Sequence, residues 1–451
     1  MSNTPTVLLH LSDIHFRLGR SGTIHDLDSD LRGQLEKSAV ELRNKLGTVH
    51  GVVVSGDIAY SGLKDEYDIA TAWLSRLCGL LECDTQNVWT VPGNHDIERE
   101  VIKRSNQLKL LHRELRTGEV DRLDERLRQY LLDDLEAGAM LFRPLAQYNA
   151  FALQFRCNVD EKRLYWEHNL VLNDASTLRI RGATSTIVSD EDDKKQSAPL
   201  VVGSAQSLLS ECDGVEHMFV CHHPPDWLID EEIDDHLRLR SRLQLFGHKH
   251  TARLYNVGDS LRISAGATHP DRDESPWEPA FNAISIFVKN ANERRTMELD
   301  VYPRVWSKKD LSFKPELSKT GTENHHWTFG LPRWVAPITP TGAEAILEHV
   351  GSVEKAAETS VLEAQQSSTG GRLVNPARRL TYRFMSLPYQ MRLEVAQELK
   401  LIENEDSGLQ DPQRYEAYFR RARERKLLAK LWEAVERAHG VEPTENPFAG
   451  Q

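Results

Sequence analysis

Five short polar motifs follow one another along the chain: Asp13-Ile14-His15, Gly56-Asp57, Gly93-Asn94-His95-Asp96, His222-His223 and Gly247-His248-Lys249-His250. Together they offer carboxylate, amide and imidazole donors and no thiolate, the donor chemistry of hard and borderline divalent cations. Asp13, Asp57, Asn94, His15, His222, His248 and His250 are more donors than one catalytic ion with open positions can use. They suit two ions that share a bridging carboxylate. Such a pair, about 3.5–4 Å apart, activates a bridging water and clamps the attacking and leaving oxygens of an in-line displacement at phosphorus. Singly, each motif is an ordinary turn or surface feature, Gly-Asp being a common turn pair and Asn-His-Asp suiting an Asx-turn. Their weight comes from all five falling in order, each at the end of an apolar run.

Those runs, VLLHLS, GVVVSG, VWTVPG, HMFVCHH and LQLFGH, predict strands. Between the first two, Leu31, Leu35, Leu42 and Leu46 stand at helical spacing. The alternation predicts α/β layering, in which ligands sit beyond the carboxyl ends of the strands. A spacing of two at a strand end would turn Asp13 and His15 toward one point, and His248 and His250 likewise. Gly56, Gly93 and Gly247 are expected to let the backbone turn sharply ahead of each ligand. Residues 98–155, dense in Leu, Arg and Glu at helical spacing, predict two or three helices inserted between strands. Strands resume over 165–187, 190–195 reads as a charged loop, and LRISAGA, FNAISIFV and MELDVYPRVW read as consecutive sheet strands.

The 451 residues carry 56 Lys+Arg against 68 Asp+Glu, a net charge of -12, with 39% hydrophobic residues. That balance fits a globular protein and excludes one whose main business is coating nucleic acid. No apolar run reaches about 18 residues, so no membrane span is expected, and MSNTPTVLLHLSDIHF lacks the basic n-region of a signal peptide. Five scattered cysteines without C-x-x-C predict free thiols and a reducing, cytoplasmic compartment. Residues 331–371 combine an Ala/Glu-rich helical run with a Ser/Gly linker. Residues 372–440 carry a net +4 while the other residues sum to -16, which predicts a separate helical module. Within it Phe384, Leu387, Leu393, Val395 and Leu399 surround a Leu-Pro turn. DPQRYEAYFRRARERKLLAKLWEAVERA then predicts one long amphipathic helix carrying Tyr415, Tyr418, Phe419, Leu427, Leu431 and Trp432.

On the five motifs, residues 1–330 resemble the calcineurin-like metallophosphoesterases, whose pattern D-x-H, G-D, G-N-H-D/E, H and G-H-x-H stands here unaltered. The resemblance implies an α/β four-layer sandwich, two mixed β-sheets flanked by helices, with a helical cap inserted at 98–155. The small all-α C-terminal module at 372–440 would follow it. One divalent ion would be held by Asp13, His15, Asp57 and His250, the other by Asp57, Asn94, His222 and His248. Mn or Fe is expected, with Zn as a third option. Asn94 and His95 would meet the substrate, His95 as general acid or charge stabiliser. Asp96 would orient His95 or cap the helix that follows. His223 is expected to pack or hydrogen-bond, and Lys249 and His25 to face solvent.

The strings SDIHF, SGDIAYSG, VPGNHD, HHPP and FGHKH are most similar to class III cyclic-nucleotide phosphodiesterases, which implies attack of a metal-bridged hydroxide on a phosphodiester or nucleotide. About 125 residues separate Asp96 from His222, a departure from that group. Phe142, Arg143, Tyr148, Asn149 and Phe151 are therefore candidates to line a reshaped pocket, with Arg143 and Tyr148 gripping phosphate and base, although aromatics at helical spacing are more often core. A nuclease acting on DNA or RNA shares the ligand set but calls for a basic track. The Arg-rich stretches 99–128 and 414–426 are interleaved with acids and read as solvated helix faces. A reading of another class is an adaptor built on an inert phosphoesterase fold. The pattern R-F-x-x-L-P-x-x-x-R from Arg383 is similar to death-like, effector-associated adaptor modules of bacterial conflict proteins. It implies a protein partner and a place as the effector arm of a defence or signalling system.

Overall fold

The computed structural model describes residues 4–18, 26, 28–195, 197–230, 232–270, 277–291, 294–334, 380, 383–384, 387, 389–403, 406, 411–438 and 446–448. His25 and the helix and linker expected within 331–371 lie outside them, save 331–334. Two units separate, Met1–Ile338 and Thr339–Gln451.

In the first unit, β1 (Thr6–Leu11), β2 (Val49–Val54) and β3 (Val88–Thr90) pair in parallel. They are covered on both faces, which is why they read as unbroken apolar runs and not as alternating ones. Helix α1 (Ser29–Leu46) connects the first pair and buries Leu31, Leu35 and Leu42. Helix α2 (Lys64–Leu81) connects the second and buries Tyr67, Leu74 and Leu77. Each such side chain contributes about 1.5–3 kcal/mol.

Next come β4 (Tyr165–Val171), β5 (Thr177–Ala183), β6 (Val215–Cys221), β7 (Ser241–Phe246), β8 (Arg253–Val257) and β9 (Ser260–Ser264). After them the chain forms β10 (Ala280–Ala291), β11 (Arg294–Ser307), β12 (Ser312–Pro315) and β13 (His325–Leu331). One sheet runs β12-β11-β10-β1-β2-β3, with β13 also on β11, and the other β4-β5-β6-β7-β9-β8. Both are mixed, since β1 and β10 are antiparallel, as are β4 and β5, while β5, β6, β7 and β9 run parallel. One continuous hydrophobic core joins the two sheets. Polar ties cross between them: the Trp166 indole donates to the Thr90 carbonyl (2.8 Å), and the Asn173 amide bonds both the N–H and the C=O of Val288 (2.7 Å each). The predicted strands are present, but LRISAGA and FNAISIFV are not neighbours. β9 lies between β7 and β8 in the second sheet and β10 enters the first, so the chain changes sheet between those two strands.

Residues 99–155 hold five short α-helices where two or three were expected: α3 (Arg99–Lys103), α4 (Asn106–Thr117), α5 (Leu123–Arg128), α6 (Leu135–Phe142) and α7 (Ala146–Ala152). Local stops divide them. Ser105 and Asp134 cap α4 and α6 by accepting from the N–H groups of Leu108 and Ala137, and Pro144 starts a separate turn before α7. Their apolar faces, among them Leu108, Leu115, Leu127 and Leu145, join the core of the unit.

The second unit packs α8 (Tyr389–Glu398), α9 (Asp411–Glu424) and α10 (Leu428–Ala438) around Phe384, Leu387, Val395, Tyr415, Tyr418 and Trp432. The single long helix expected here is broken. Lys426 is left-handed (φ 53) and the Leu427 N–H returns to the Ala422 carbonyl at 2.7 Å, a helix-ending geometry. The break lets both apolar faces enter one core. Arg421 is buried in a two-pronged pair with Asp406 (2.6 and 2.7 Å), which meets the hydrogen-bonding need of that cation.

Candidate metal centre

Strands β1, β2 and β3 of one sheet and β6 and β7 of the other end side by side, and each is followed within a few residues by one of the five motifs. The loops are tied directly. The N–H groups of Asp13 and Ile14 donate to the Gly56 and Asp57 carbonyls, and the Gly247 N–H to the His222 carbonyl (2.8–3.0 Å). The chain between β9 and β10 joins them, Thr268 and His269 donating backbone N–H to the carbonyls of Ser12 (2.8 Å) and Asp13 (3.0 Å).

Asp13, His15, Asp57, His248 and His250 all have positive φ, between 51 and 67°. Strand alternation therefore does not orient them, contrary to the expected spacing rule; a left-handed backbone at each loop does. For residues other than glycine that conformation costs on the order of 1–3 kcal/mol each, and it persists where surroundings enforce it, commonly at functional sites. Of the motif glycines only Gly56 has positive φ (99°). Gly93 and Gly247 are demanded by close approach: a Cβ at 93 would overlap the Asp57 carboxylate, and one at 247 the Ser12 hydroxyl.

The side chains converge. His250 Nε2 lies 3.1 Å from Asp13 Oδ1, and His15 Nε2 lies 4.0 Å from the same oxygen and 3.9 Å from Asp57 Oδ2. On the other side of Asp57, His222 Nε2 is 3.3 Å from Oδ2, and Asn94 Oδ1 is 3.2 Å from His222 Nε2 and 3.1 Å from His248 Nδ1. The Asp57 carboxylate thus stands between two donor groups. Separations near 4 Å are too long for hydrogen bonds, whereas two donors each about 2.1 Å from one cation lie about 3–4 Å apart. The donor set and its spacing fit divalent ions.

The protonation states of His15 and His248 fit as well, whereas His222 would have to give up a proton to a cation. Burial holds His15 near 3 and His248 near 4, so both imidazoles are neutral at pH 7, the form that ligates. Burial alone would raise Asp13 and Asp57. The hydrogen bond and charge of His250 instead bring Asp13 to about 2, and His222 holds Asp57 well below the usual carboxylate range. Burial would lower His222, but the Asp57 carboxylate outweighs it and raises the imidazole to about 9. Its Nδ1–H donates to the Ser55 carbonyl (2.8 Å), which turns Nε2 toward Asp57 and Asn94.

His95 sits beside this cluster, its ring 4.7 Å from that of His15 and its N–H donating to Asp57 Oδ1 (2.7 Å). Its Nδ1 is 2.8 Å from the Tyr60 carbonyl, which assigns the Nδ1–H tautomer to the neutral ring. Asp96 does not pair with the His95 ring, nor does it cap a helix, since α3 begins after Glu98. Its fully buried carboxylate accepts from the N–H groups of Ile58, Ala59 and Gly93 and from the Tyr67 hydroxyl (2.9–3.2 Å). Burial, then the Asp57 charge, raise it to about 7. Asp96 clamps the Gly-Asp loop to the Asn-His-Asp loop.

The expected pocket lining is corrected in part. Tyr148, Phe142 and Phe151 are core residues: the Tyr148 hydroxyl bonds Thr90 inside the protein, and Phe151 stacks on Tyr67 (5.0 Å). Tyr148 and Phe151 pack α7 on Tyr67 of α2. Asn149 accepts from the Val159 N–H (2.9 Å), and Arg143 is exposed. His223 is buried with Nδ1 2.8 Å from the Ser185 hydroxyl, yet it also shares a potential ligand cluster with His222 and His248. Lys249 is half-buried and pairs with Asp226 (3.0 Å). Sequence reasoning missed Tyr60, whose ring packs 5.1 Å from His95 under the Arg17 guanidinium (3.8 Å), and Trp227, 4.2 Å from His248. Both stand within five residues of a ligand, the one signal that could have found them.

Among the described residues no helix is long and apolar enough to cross a membrane, and the five cysteines carry no disulfide. No curated protein matches the chain. Among solved structures it is similar to a purple acid phosphatase from yellow lupin (Lupinus luteus) seeds (11% identity, 76% of this chain and 58% of that one, TM-score 0.37). It is also similar to a putative 5'-nucleotidase from Staphylococcus aureus (10% identity, 76% and 56%, TM-score 0.33) and to Vacuolar Protein Sorting 29 from Cryptosporidium parvum (10% identity, 73% and 100%, TM-score 0.30). Residues 376–437 match the model of the GTPase-associated adaptor domain. Residues 6–252, more than half of the chain, match the model of the calcineurin-like phosphoesterases, and the chain belongs to that family.

Proposed function

We propose that this protein is a phosphodiesterase dependent on two divalent metal ions, acting on a nucleotide. The observation that carries the reading is the Asp57 carboxylate between two groups of N and O donors. Asp13, His15 and His250 with Asp57 would hold one ion, and Asn94, His222 and His248 with Asp57 the other. When bound, the ions would supply a Lewis acid for the phosphoryl oxygens and lower the pKa of water. The chain's own groups do the rest. The Tyr60 carbonyl holds the His95 Nδ1 proton, so that in the imidazolium form the Nε2 proton is the one free to pass to the leaving oxygen. The Asn94 amide sets the distance between the His222 and His248 rings. Asp96 holds two of the ligand loops in register.

Mn or Fe suits this donor set, with Zn next, and the unpaired cysteines suit a reducing, cytoplasmic setting. The module at 372–440 would recruit a protein partner, in line with the adaptor model it matches, and would make the enzyme the effector of a signalling or defence assembly. The test is hydrolysis of bis-(p-nitrophenyl) phosphate by the full chain after reconstitution with Mn. Metal-dependent release of p-nitrophenol is expected. A chain that takes up metal and stays inert would favour the adaptor reading.

A further inference from the structure

The cationic residues that open the helical segment are exposed or half-buried, as expected of a solvated face, but they also converge. Arg99 and Lys103 of α3, and Lys109, Arg113 and Arg116 of α4, line one cavity of about 320 Å³ whose opposite wall is Asp190, Glu191, Asp192, Ser197 and Ala198. That volume falls at the lower end of small-ligand sites, roughly 300–1,000 Å³. The spacing explains the convergence, since 99 and 103 lie one turn apart on α3, while 109, 113 and 116 stack along one face of α4.

The facing loop neutralises part of this charge. Lys103 reaches Glu191 (3.1 Å), and Arg116 pairs with Asp190 (3.2 Å) and with Asp193. Lys109 and Arg113 make no ion pair among the described residues. His112, 2% exposed, also lines the cavity; its Nδ1 faces Asp190 at 3.5 Å, and its Nε2 has no hydrogen-bond partner among the described residues. A buried ring nitrogen without a partner in the wall of a cationic cavity marks a place for a polar ligand. The cavity also abuts the metal centre, because the Arg99 guanidinium donates to the backbone carbonyl of Asn94 (3.4 Å).

We infer that this cavity binds a second phosphate group of the substrate, so that the preferred substrate is a small nucleotide with one phosphate at the metal centre and another between α3 and α4. The assignment rests on the phosphodiesterase reading for its first phosphate and on the cavity alone for its second. Lys109 and Arg113 supply the unpaired charge, His112 a hydrogen bond, and Arg99 joins the two positions.

The test compares the dinucleotides pApA and ApA, which differ only in the terminal phosphate. Calorimetric titration of the metal-free full chain should show pApA binding about tenfold or more tighter than ApA. The exposed pair Lys109→Ala with Arg113→Ala should abolish that preference, and Arg113→Lys alone should keep most of it. Equal affinities in the unmodified protein, or a preference that survives the double substitution, overturns the inference. So does a single-stranded DNA of about 20 nucleotides that binds far tighter than pApA, which would mean an extended strand track. Turnover by the Mn-loaded chain separates the two readings. A pApA preference in binding with neither dinucleotide cleaved leaves the cavity assigned and sinks the phosphodiesterase. Cleavage of both at equal kcat/KM with no binding preference does the reverse.

Discussion

The loops at the sheet junction and the helices of 99–155 bury opposite kinds of residue. In the loops, Asp13, Asp57, Asp96 and His222 are all at most 1% exposed, on a backbone forced into left-handed turns. In the helices, leucines and aromatics fill the interior while Arg, Lys and Glu stay outside or line a cavity. Burying ionisable groups is costly unless they are paired or bound to metal. The first arrangement therefore persists because the groups pair with one another and with backbone N–H and C=O groups, the second because apolar area leaves water. The same substitution should have different consequences in each.

The largest effect is expected from Asp57→Asn, which removes the carboxylate standing between both donor groups. Metal content and turnover should vanish together, as read by elemental analysis and ester hydrolysis; full metal content would break the contrast at its root. His95→Gln should keep the metal and slow turnover by about 10²–10⁴, the usual contribution of a positioned acid. Loss of metal there would make His95 a ligand.

Third in size is a pH effect away from the centre. His217 at the start of β6 is 4% exposed and held near 4 by burial, while unfolded it titrates near 6.5. A base whose folded pKa is depressed lends stability above 6.5 that is lost as pH falls from 6.5 toward 4. The loss should reach about 3 kcal/mol, and urea unfolding of His217→Gln should show a flatter profile between those limits. An unchanged profile would remove His217 from the acid response. Gly93→Ala should push the Asp57 carboxylate aside and weaken metal binding by about 10–100-fold, as a lost outer-shell support does; unaltered affinity would mean the loop yields freely. Smallest is Tyr148→Phe, which deletes a buried hydrogen bond to Thr90 and should cost about 1 kcal/mol of stability with KM for the model ester unchanged. A raised KM would return Tyr148 to the substrate pocket.

The same contrast accounts for what could be read from residues alone. The seven donors were legible because metal chemistry restricts residue type so strongly that five short motifs in order carry the meaning. How they are aimed was not, since alternation along a strand suggests one geometry and the left-handed turns at 13, 15, 57, 248 and 250 make another. The sheets' strands were legible as apolar runs, but their assignment to two sheets depended on the change of sheet between β9 and β10, which has no periodic signature. In the helices, spacing left Tyr148 and Phe151 open to a core or a pocket reading, and their packing against Thr90 and Tyr67 decides for the core. Spacing could not show that Arg99, Lys109 and Arg113 surround a cavity, because the opposing wall comes from residues some eighty positions later. The break at Lys426 likewise follows from sharing one small core, a demand of packing that no local pattern encodes.

The central claim is that Asp57 bridges two ions. Electron paramagnetic resonance of the Mn-reconstituted full chain, with metal counted on the same sample, tests it directly. Two Mn per chain with an exchange-coupled spectrum is the predicted result. One Mn per chain, or two with the spectra of isolated ions, would contradict it.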